Sequence, residues 1–182
     1  KFKDDPLLRS LKGGVTTLYL DTTYCNPKYV FPTQQESIDY VTDAIGAELE
    51  SRKVKEEGSK PLFLISTYSI GKEKILKAVA KRFQCKIFVS GHKMRILSSL
   101  QDPELDCVLT TEMSETCVHV VRWGTLGATF PYFQPNFDKM EEYRRKAGAD
   151  TVQGFVPTGW MYEMKKQKFR MVERDQVKVH LV

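Results

Sequence analysis

Short apolar runs alternate along this chain with stretches whose apolar residues return every three or four positions. The first pattern belongs to buried strands and the second to helices. Their alternation predicts an α/β domain on a largely parallel sheet flanked by helices. Val15–Leu20 reads as the first strand, after the turn glycines Gly13 and Gly14. A polar loop with Pro27 and Pro32 follows, and Thr33 with Glu36 then forms a T-x-x-E capping box. The helix opened there carries Ile38, Val41, Ile45 and Leu49 on one face, and "SRKVKEEGSK" (51–60) reads as a charged surface loop. "PLFLIST" (61–67) is an unbroken apolar run, the pattern of a strand buried on both faces. The next helix turns Ile75, Leu76, Val79 and Phe83 inward.

"KIFVS" (86–90), "DCVLT" (106–110), "CVHVVRW" (117–123), "QGFVP" (153–157) and "DQVKVHLV" (175–182) read as further strands. "HKMRILSSL" reads as a short helix, and "NFDKMEEYRRKAG" as a helix capped by Asn136 and closed near Gly148.

Composition narrows the class. With 182 residues, 41% hydrophobic and 11% aromatic, the chain can bury a sizeable core as one domain or a compact pair. No run approaches the roughly 18 apolar residues of a membrane span, so no membrane partner is expected. The polar opening "KFKDDPLLRS" is no signal peptide. That opening lacks Met and the end falls within an alternating strand, so a piece of a longer protein is expected. Cys25, Cys85, Cys107 and Cys117 are scattered without a CxxC pair, which argues against a zinc ribbon or a dithiol redox site. Such cysteines fit a reducing compartment, cytosol or nucleus. The net charge of +5 is compatible with a nucleic-acid partner without requiring one.

Three stretches could carry chemistry. "LYLDTTYC" (18–25) ends an apolar run on Asp21, which is either a turn former at a strand end or a site carboxylate. "STYSIGKEK" (66–74) is not a P-loop, because no glycine stands five residues before Gly71 and Glu73 replaces the magnesium-binding hydroxyl. It still puts Ser69, the Gly71 amide and Lys72 between a strand's C-terminal end and a helix start, where an anion or a simple cap both fit. Lys74 and Lys77 fall on or near the same side of that helix. "VPTGWMYEM" (156–164) offers Thr158 for a phosphate oxygen, Gly159 for close approach and Trp160 for stacking, and equally a tight turn. His92, His119 and His180 are far apart, the latter two in strands where a satisfied histidine is the default, so no metal set is expected within this chain.

Taken together, "LYLDTTYCNPKYVFPTQQESI" (18–38), "STYSIGKEKIL" (66–76) and "GFVPTGW" (154–160) resemble the DNA cross-link repair nucleases of the metallo-β-lactamase superfamily, β-CASP group. "HVVRWGTLGATFPYFQPNF" (119–137) is similar to the plant branch in which such a segment precedes an ATP-dependent DNA ligase.

The resemblance implies the end of a metallo-β-lactamase part at 1–23, a β-CASP domain at 24–153 and a return to the lactamase part at 154–182. It makes Asp21 the first acidic motif beside a metal centre, orienting ligands or the attacking water. Ser69, Gly71, Lys72, Thr158 and Gly159 would bind DNA phosphate. The family's HxHxDH motif and late histidine are not among these residues, so zinc in the full-length protein would be held mostly by ligands elsewhere. The implied activity is 5′→3′ DNA exonuclease action on single-stranded or 5′-phosphorylated ends, in the nucleus. The competing reading is a DNA-binding or targeting module of an ATP-dependent DNA ligase. An RNA-processing β-CASP nuclease fits the Asp-Thr-Thr-Tyr-Cys string less well.

Overall fold

In a computed structural model, the structure describes residues 5–11, 14–27, 29–55, 59–128, 132–159 and 169–182. Gly13 and Trp160 lie outside them. The chain divides into two units, Lys1–Val30 and Phe31–Val182.

The first unit holds one short helix, α1 (Pro6–Ser10), and irregular chain. The expected strand Val15–Leu20 is not formed there. Leu18, Tyr19 and Leu20 are 68%, 92% and 69% exposed. The physical reason is pairing. A strand is stable only when its N–H and C=O groups meet a neighbouring strand, and these residues pair with none among the described residues.

The second unit is the expected α/β layer structure. Helix α2 (Gln34–Lys55) opens on the capping box: Thr33 Oγ1 accepts from the Glu36 N–H at 3.2 Å, and Glu36 Oε2 accepts from the Thr33 N–H at 2.7 Å. Val41 and Ile45 are fully buried, Ile38 nearly so, and Leu49 packs against them. The helix runs on through Lys55, so the first half of the expected 51–60 loop is helical. Lys and Glu are good helix formers, and Arg52 braces Glu48 one turn back, with Nε 2.7 Å from Oε1.

Strand β1 (Pro61–Thr67) leads to α3 (Glu73–Phe83), β2 (Ile87–Phe88), α4 (Gly91–Ser98) and the single turn α5 (Pro103–Asp106). Then come β3 (Leu109–Thr110), a 3₁₀ turn at Met113–Glu115, and β4 (Val118–Arg122). A two-stranded ribbon follows, β5 (Gly127–Ala128) with β6 (Gln134–Pro135), then α6 (Phe137–Ala147) and β7 (Thr151–Val156). Strands β8 (Arg170–Arg174) and β9 (Val177–Leu181) complete the order. Asn136 caps α6 by accepting from the Lys139 N–H at 3.0 Å, and Gly148 closes it at φ 61°.

Among the described residues the main sheet has seven strands in the order β3-β2-β4-β1-β7-β9-β8, with only the β8–β9 pair antiparallel. β1 lies between β4 and β7, and its side chains alternate between two cores. Phe63 and Ile65 join the layer of α2 and α3, while Leu62 and Leu64 join that of α6. Burial on both faces is why "PLFLIST" carries no polar alternation. The helix of the second layer packs tightly. A Cβ on Gly154 of β7 would stand 2.8 Å from Met140 Cε and 3.0 Å from Leu126 Cδ1, so any side chain there would push these two tips aside. The sheet is continuous across residue 154: β7 and β9 belong to the same sheet as β1.

A buried polar chain ties α2 to the sheet. Tyr40 O–H donates to His180 Nδ1 at 3.0 Å, and His180 Nε2–H donates to Gln153 Oε1 at 3.0 Å. Gln153 Nε2 donates in turn to Glu48 Oε2 at 2.5 Å. The carboxylate can only accept, and that fixes the direction of every bond along the chain. Burial, helped by Lys178, pushes the His180 imidazole down to about 4 and keeps it neutral.

Candidate DNA phosphate cleft

The connection leaving β1 crosses to β2 on one side, and the chain leaving β7 goes to β8 and β9 on the other. The C-terminal ends of these neighbours therefore flank the point where connections diverge, which is where open α/β sheets bind ligands. A cleft of about 460 Å³ opens there. Its walls include Gly71 and Lys72 from the β1–α3 loop and Thr158 and Gly159 beyond β7. Four of the five residues read as phosphate-binding thus meet in one cavity.

The backbone on the β1 side is shaped by two left-handed residues in succession, Gly71 at φ 113° and Lys72 at φ 76°. Glycine takes that conformation without penalty, but lysine pays a cost of about 1 kcal/mol. A strained residue that persists in a cleft points to a role there. Lys72 gives α3 no side-chain cap. The Gly71 N–H instead donates to Glu73 Oε1 at 2.6 Å, so an anion recruited to that amide must displace a carboxylate. Burial pulls the Lys72 ammonium below the usual lysine range, with Glu73 working the other way. A partly desolvated cation of this kind gains most from an incoming anion.

On the β7 side, Thr158 is buried and its N–H donates to the Val182 carbonyl at 2.9 Å. The Val182 N–H returns a bond to the Val156 carbonyl at 3.2 Å. The backbone of the PTG turn is thereby held on β9.

Other expected residues lie elsewhere. Ser69 is exposed and borders a separate cleft rather than the one holding Gly71 and Lys72. Lys74 donates to Gln34 Oε1 at 2.9 Å. Lys77 is bound by Asp102 and Glu104 at 2.9 and 3.1 Å, which occupies its ammonium and removes it from a common basic face. Asp21 is exposed in the first unit. Its Oδ1 accepts from the Thr23 N–H at 2.9 Å and hydroxyl at 2.6 Å, and these bonds hold its carboxyl below the usual range. That is an Asx turn.

One contributor was not legible beforehand. Lys93 is buried, and its Nζ donates to the carbonyls of Tyr68 at 2.6 Å and Ser69 at 2.9 Å. It fixes the loop that carries Gly71 and Lys72. In sequence it stands at an ordinary helix start, "SGHK", with nothing to separate it from a surface lysine.

Residues 103–182 match the family model described as DNA repair metallo-beta-lactamase. The chain is 48% identical over 178 residues to DNA ligase 6 of Arabidopsis thaliana, covering 98% of this chain and 12% of that protein. It is 36% identical over 169 residues to the DNA cross-link repair 1A protein of Homo sapiens, covering 90% and 15%. By these matches the chain resembles the DNA repair metallo-β-lactamase family. A further relative, the 5′ exonuclease Apollo of Rattus norvegicus, is 32% identical over 112 residues, covering 62% of this chain and 18% of that protein. The chain spans less than a fifth of each of these relatives.

The family implies a metal. Among the described residues no three His, Cys, Asp or Glu side chains converge to hold one. His180 and His119 are turned to other uses. His119 is buried with Nε2 at 2.9 and 3.2 Å from the carbonyls of Thr116 and Met113. The described residues therefore do not make a ligand set for that metal.

Proposed function

We propose that this chain is the DNA-holding segment of a 5′→3′ DNA exonuclease that trims ends or cross-links in repair. The supporting observation is the cleft at the β1 and β7 ends, where Lys72, Gly71, Thr158 and Gly159 converge. One relative bears the name 5′ exonuclease, and others are DNA cross-link repair proteins. In this reading a 5′-terminal phosphate enters the cleft, Lys72 neutralises it, and the terminal bond is set at a fixed distance from the holding site. Asp21 is the acid the chain supplies to the reaction centre. Zinc is the metal we propose for the whole protein, on ligands outside these residues, and the nucleus is the compartment. Residues 1–23 would end the lactamase part, 24–153 form the β-CASP cap and 154–182 lead back.

A second reading is favoured by the 48% identity to a DNA ligase across nearly the whole chain. Here the segment delivers DNA ends to a ligase in the same protein. The two readings are compatible, since trimming prepares ends for sealing.

Full-length protein incubated with 5′-phosphorylated single-stranded DNA tests the first. Stepwise loss of nucleotides from the 5′ end, faster than on 5′-hydroxyl DNA, is the expected result. Tight, salt-sensitive binding with no digestion in the presence of zinc would leave only the targeting reading.

A further inference from the structure

The loop from Tyr68 to Lys72 separates two clefts. Gly71 and Lys72 face the larger one, while Tyr68 and Ser69 line a smaller one of about 260 Å³ with Ser90, His92, Lys93 and Arg122. At its edge Tyr68 lies flat on Trp123, with ring centroids 4.4 Å apart and planes 20° apart. The two rings differ in their surroundings. Trp123 packs against the core on the α6 side, whereas Tyr68 is 39% exposed. One ring is anchored and the other is presented. The backbone that carries the presented ring is also anchored, because the buried Lys93 ammonium binds the main-chain carbonyl of Tyr68, while the stack on Trp123 orients the ring itself.

Core packing does not account for this pair, since a tyrosine needed for the core would be buried. A fixed, flat, half-exposed aromatic beside cationic side chains is the arrangement that holds single-stranded nucleic acid. Every base has a π-face to add to such a stack, and Arg122, exposed on the same cleft, can meet the backbone or stack with its planar guanidinium. A base inside a duplex is already covered on both faces, so only an unpaired one can use the platform.

We propose that the smaller cleft is a nucleobase site, in which one unpaired base of the DNA strand stacks on Tyr68 while a phosphate of that strand lies at Lys72. Ser69 then belongs to the base side of the loop and Gly71 to the phosphate side. The inference rests on the DNA-holding reading above, and it adds a requirement for an unpaired base where that reading needs only phosphate.

The test uses full-length protein and fluorescence anisotropy with two 5′-phosphorylated oligonucleotides, oligothymidylate and the same backbone carrying abasic sites. The wild type should bind the base-bearing strand about tenfold more tightly. Tyr68→Ala should erase that preference yet keep the preference for a 5′-phosphate over a 5′-hydroxyl. Tyr68→Phe keeps the ring and should keep the base preference, and a circular dichroism spectrum unchanged in both variants shows them folded. The proposal is overturned if Tyr68→Ala retains the wild-type ratio, or if Tyr68→Phe loses it as fully as Ala does. Equal wild-type binding of the two strands removes the base site and leaves the phosphate reading standing. No binding of either strand removes both.

Discussion

"VTTLYL" (15–20) and "PLFLIST" (61–67) are close in composition and opposite in fate. In the second, Leu62, Phe63, Leu64 and Ile65 are at most 2% exposed, with β4 hydrogen-bonded on one side and β7 on the other. In the first, three consecutive apolar residues lie open and pair with no strand among the described residues. The difference teaches that strand propensity states only what a segment could do. Whether it does so depends on partners that sequence pattern cannot locate. An unpaired apolar run ending in an acid is also what a segment looks like when its sheet lies in another part of the protein.

The largest expected effect tests that comparison directly. Phe63→Ala should destabilise the 182-residue chain by about 3–5 kcal/mol, since it leaves a cavity between the sheet and its helices. Leu18→Ala in the same chain should change stability by less than about 0.5 kcal/mol, as expected for an exposed site. If the run joins the lactamase sheet in the full-length protein, as the proposed layout requires, Leu18→Ala should instead cost about 2–5 kcal/mol there. Urea titration of both lengths measures all three. A Leu18→Ala effect that stays near zero at full length would mean that the run is surface chain everywhere.

The acid at the end of the same run gives the next effect. Within this chain Asp21 only closes a turn onto Thr23. Asn makes the same turn without the charge, so Asp21→Asn should leave folding and DNA binding intact. If the carboxylate serves the reaction centre, the full-length variant should lose roughly 10- to 100-fold of its nuclease rate. Wild-type digestion of 5′-phosphorylated DNA by that variant would make the turn the whole role of Asp21.

Much of the second unit was legible because its signals are local. The Thr33–Glu36 box, the inward faces of α2 and α3, and the Asn136 and Gly148 ends of α6 all depend on spacings within a few residues. What was missed depends on contacts distant in sequence or on weak pattern. β8 reads "RMVER", and as an exposed edge strand it carries no apolar face to betray it. The gathering of Gly71 and Lys72 with Thr158 and Gly159 follows from β1 lying beside β7, which no local spacing states. Ser69 falls on the far side of its loop because Gly71 and Lys72 turn the backbone left-handed just after it.

A smaller effect contrasts buried and exposed histidine. In the folded protein His180 stays neutral down to about pH 4, whereas its ordinary value is 6.5. Between those values unfolding takes up a proton, so stability present above pH 6.5 falls as pH drops and this contribution is gone below about 4. From neutral pH to about pH 5 the loss should be about 2 kcal/mol in urea titrations. His180→Phe should be less stable at neutral pH, because Gln153 and Tyr40 lose their partner, but that part of the pH dependence should be missing. An identical pH slope in the variant would show that the imidazole titrates normally, against the burial and the Lys178 charge that lower it.

The smallest effect separates the lysine of the candidate cleft from a lysine of α3 that lies outside it. Lys72 is half-buried and left-handed, with an ammonium that burial pulls toward neutrality, so it is poised for an anion. Lys77, one turn along α3, is already satisfied by Asp102 and Glu104. A single charge-assisted contact to a phosphate is worth about 1.5–3 kcal/mol when partly shielded from water. Competition from Glu73 for the same corner should hold Lys72 to the lower end, about tenfold in affinity. In the full-length protein, Lys72→Ala should therefore weaken binding of 5′-phosphorylated single-stranded DNA about tenfold while barely touching the 5′-hydroxyl strand. Lys77→Ala should weaken both alike and only slightly. Removing Glu73 as Glu73→Gln should move affinity the other way, since the Gly71 amide then faces a neutral group that yields more readily to phosphate. Equal losses on both strands for Lys72→Ala would sink the terminal-phosphate assignment and leave Lys72 as a general backbone contact, whose mark would be a shallower dependence of binding on salt.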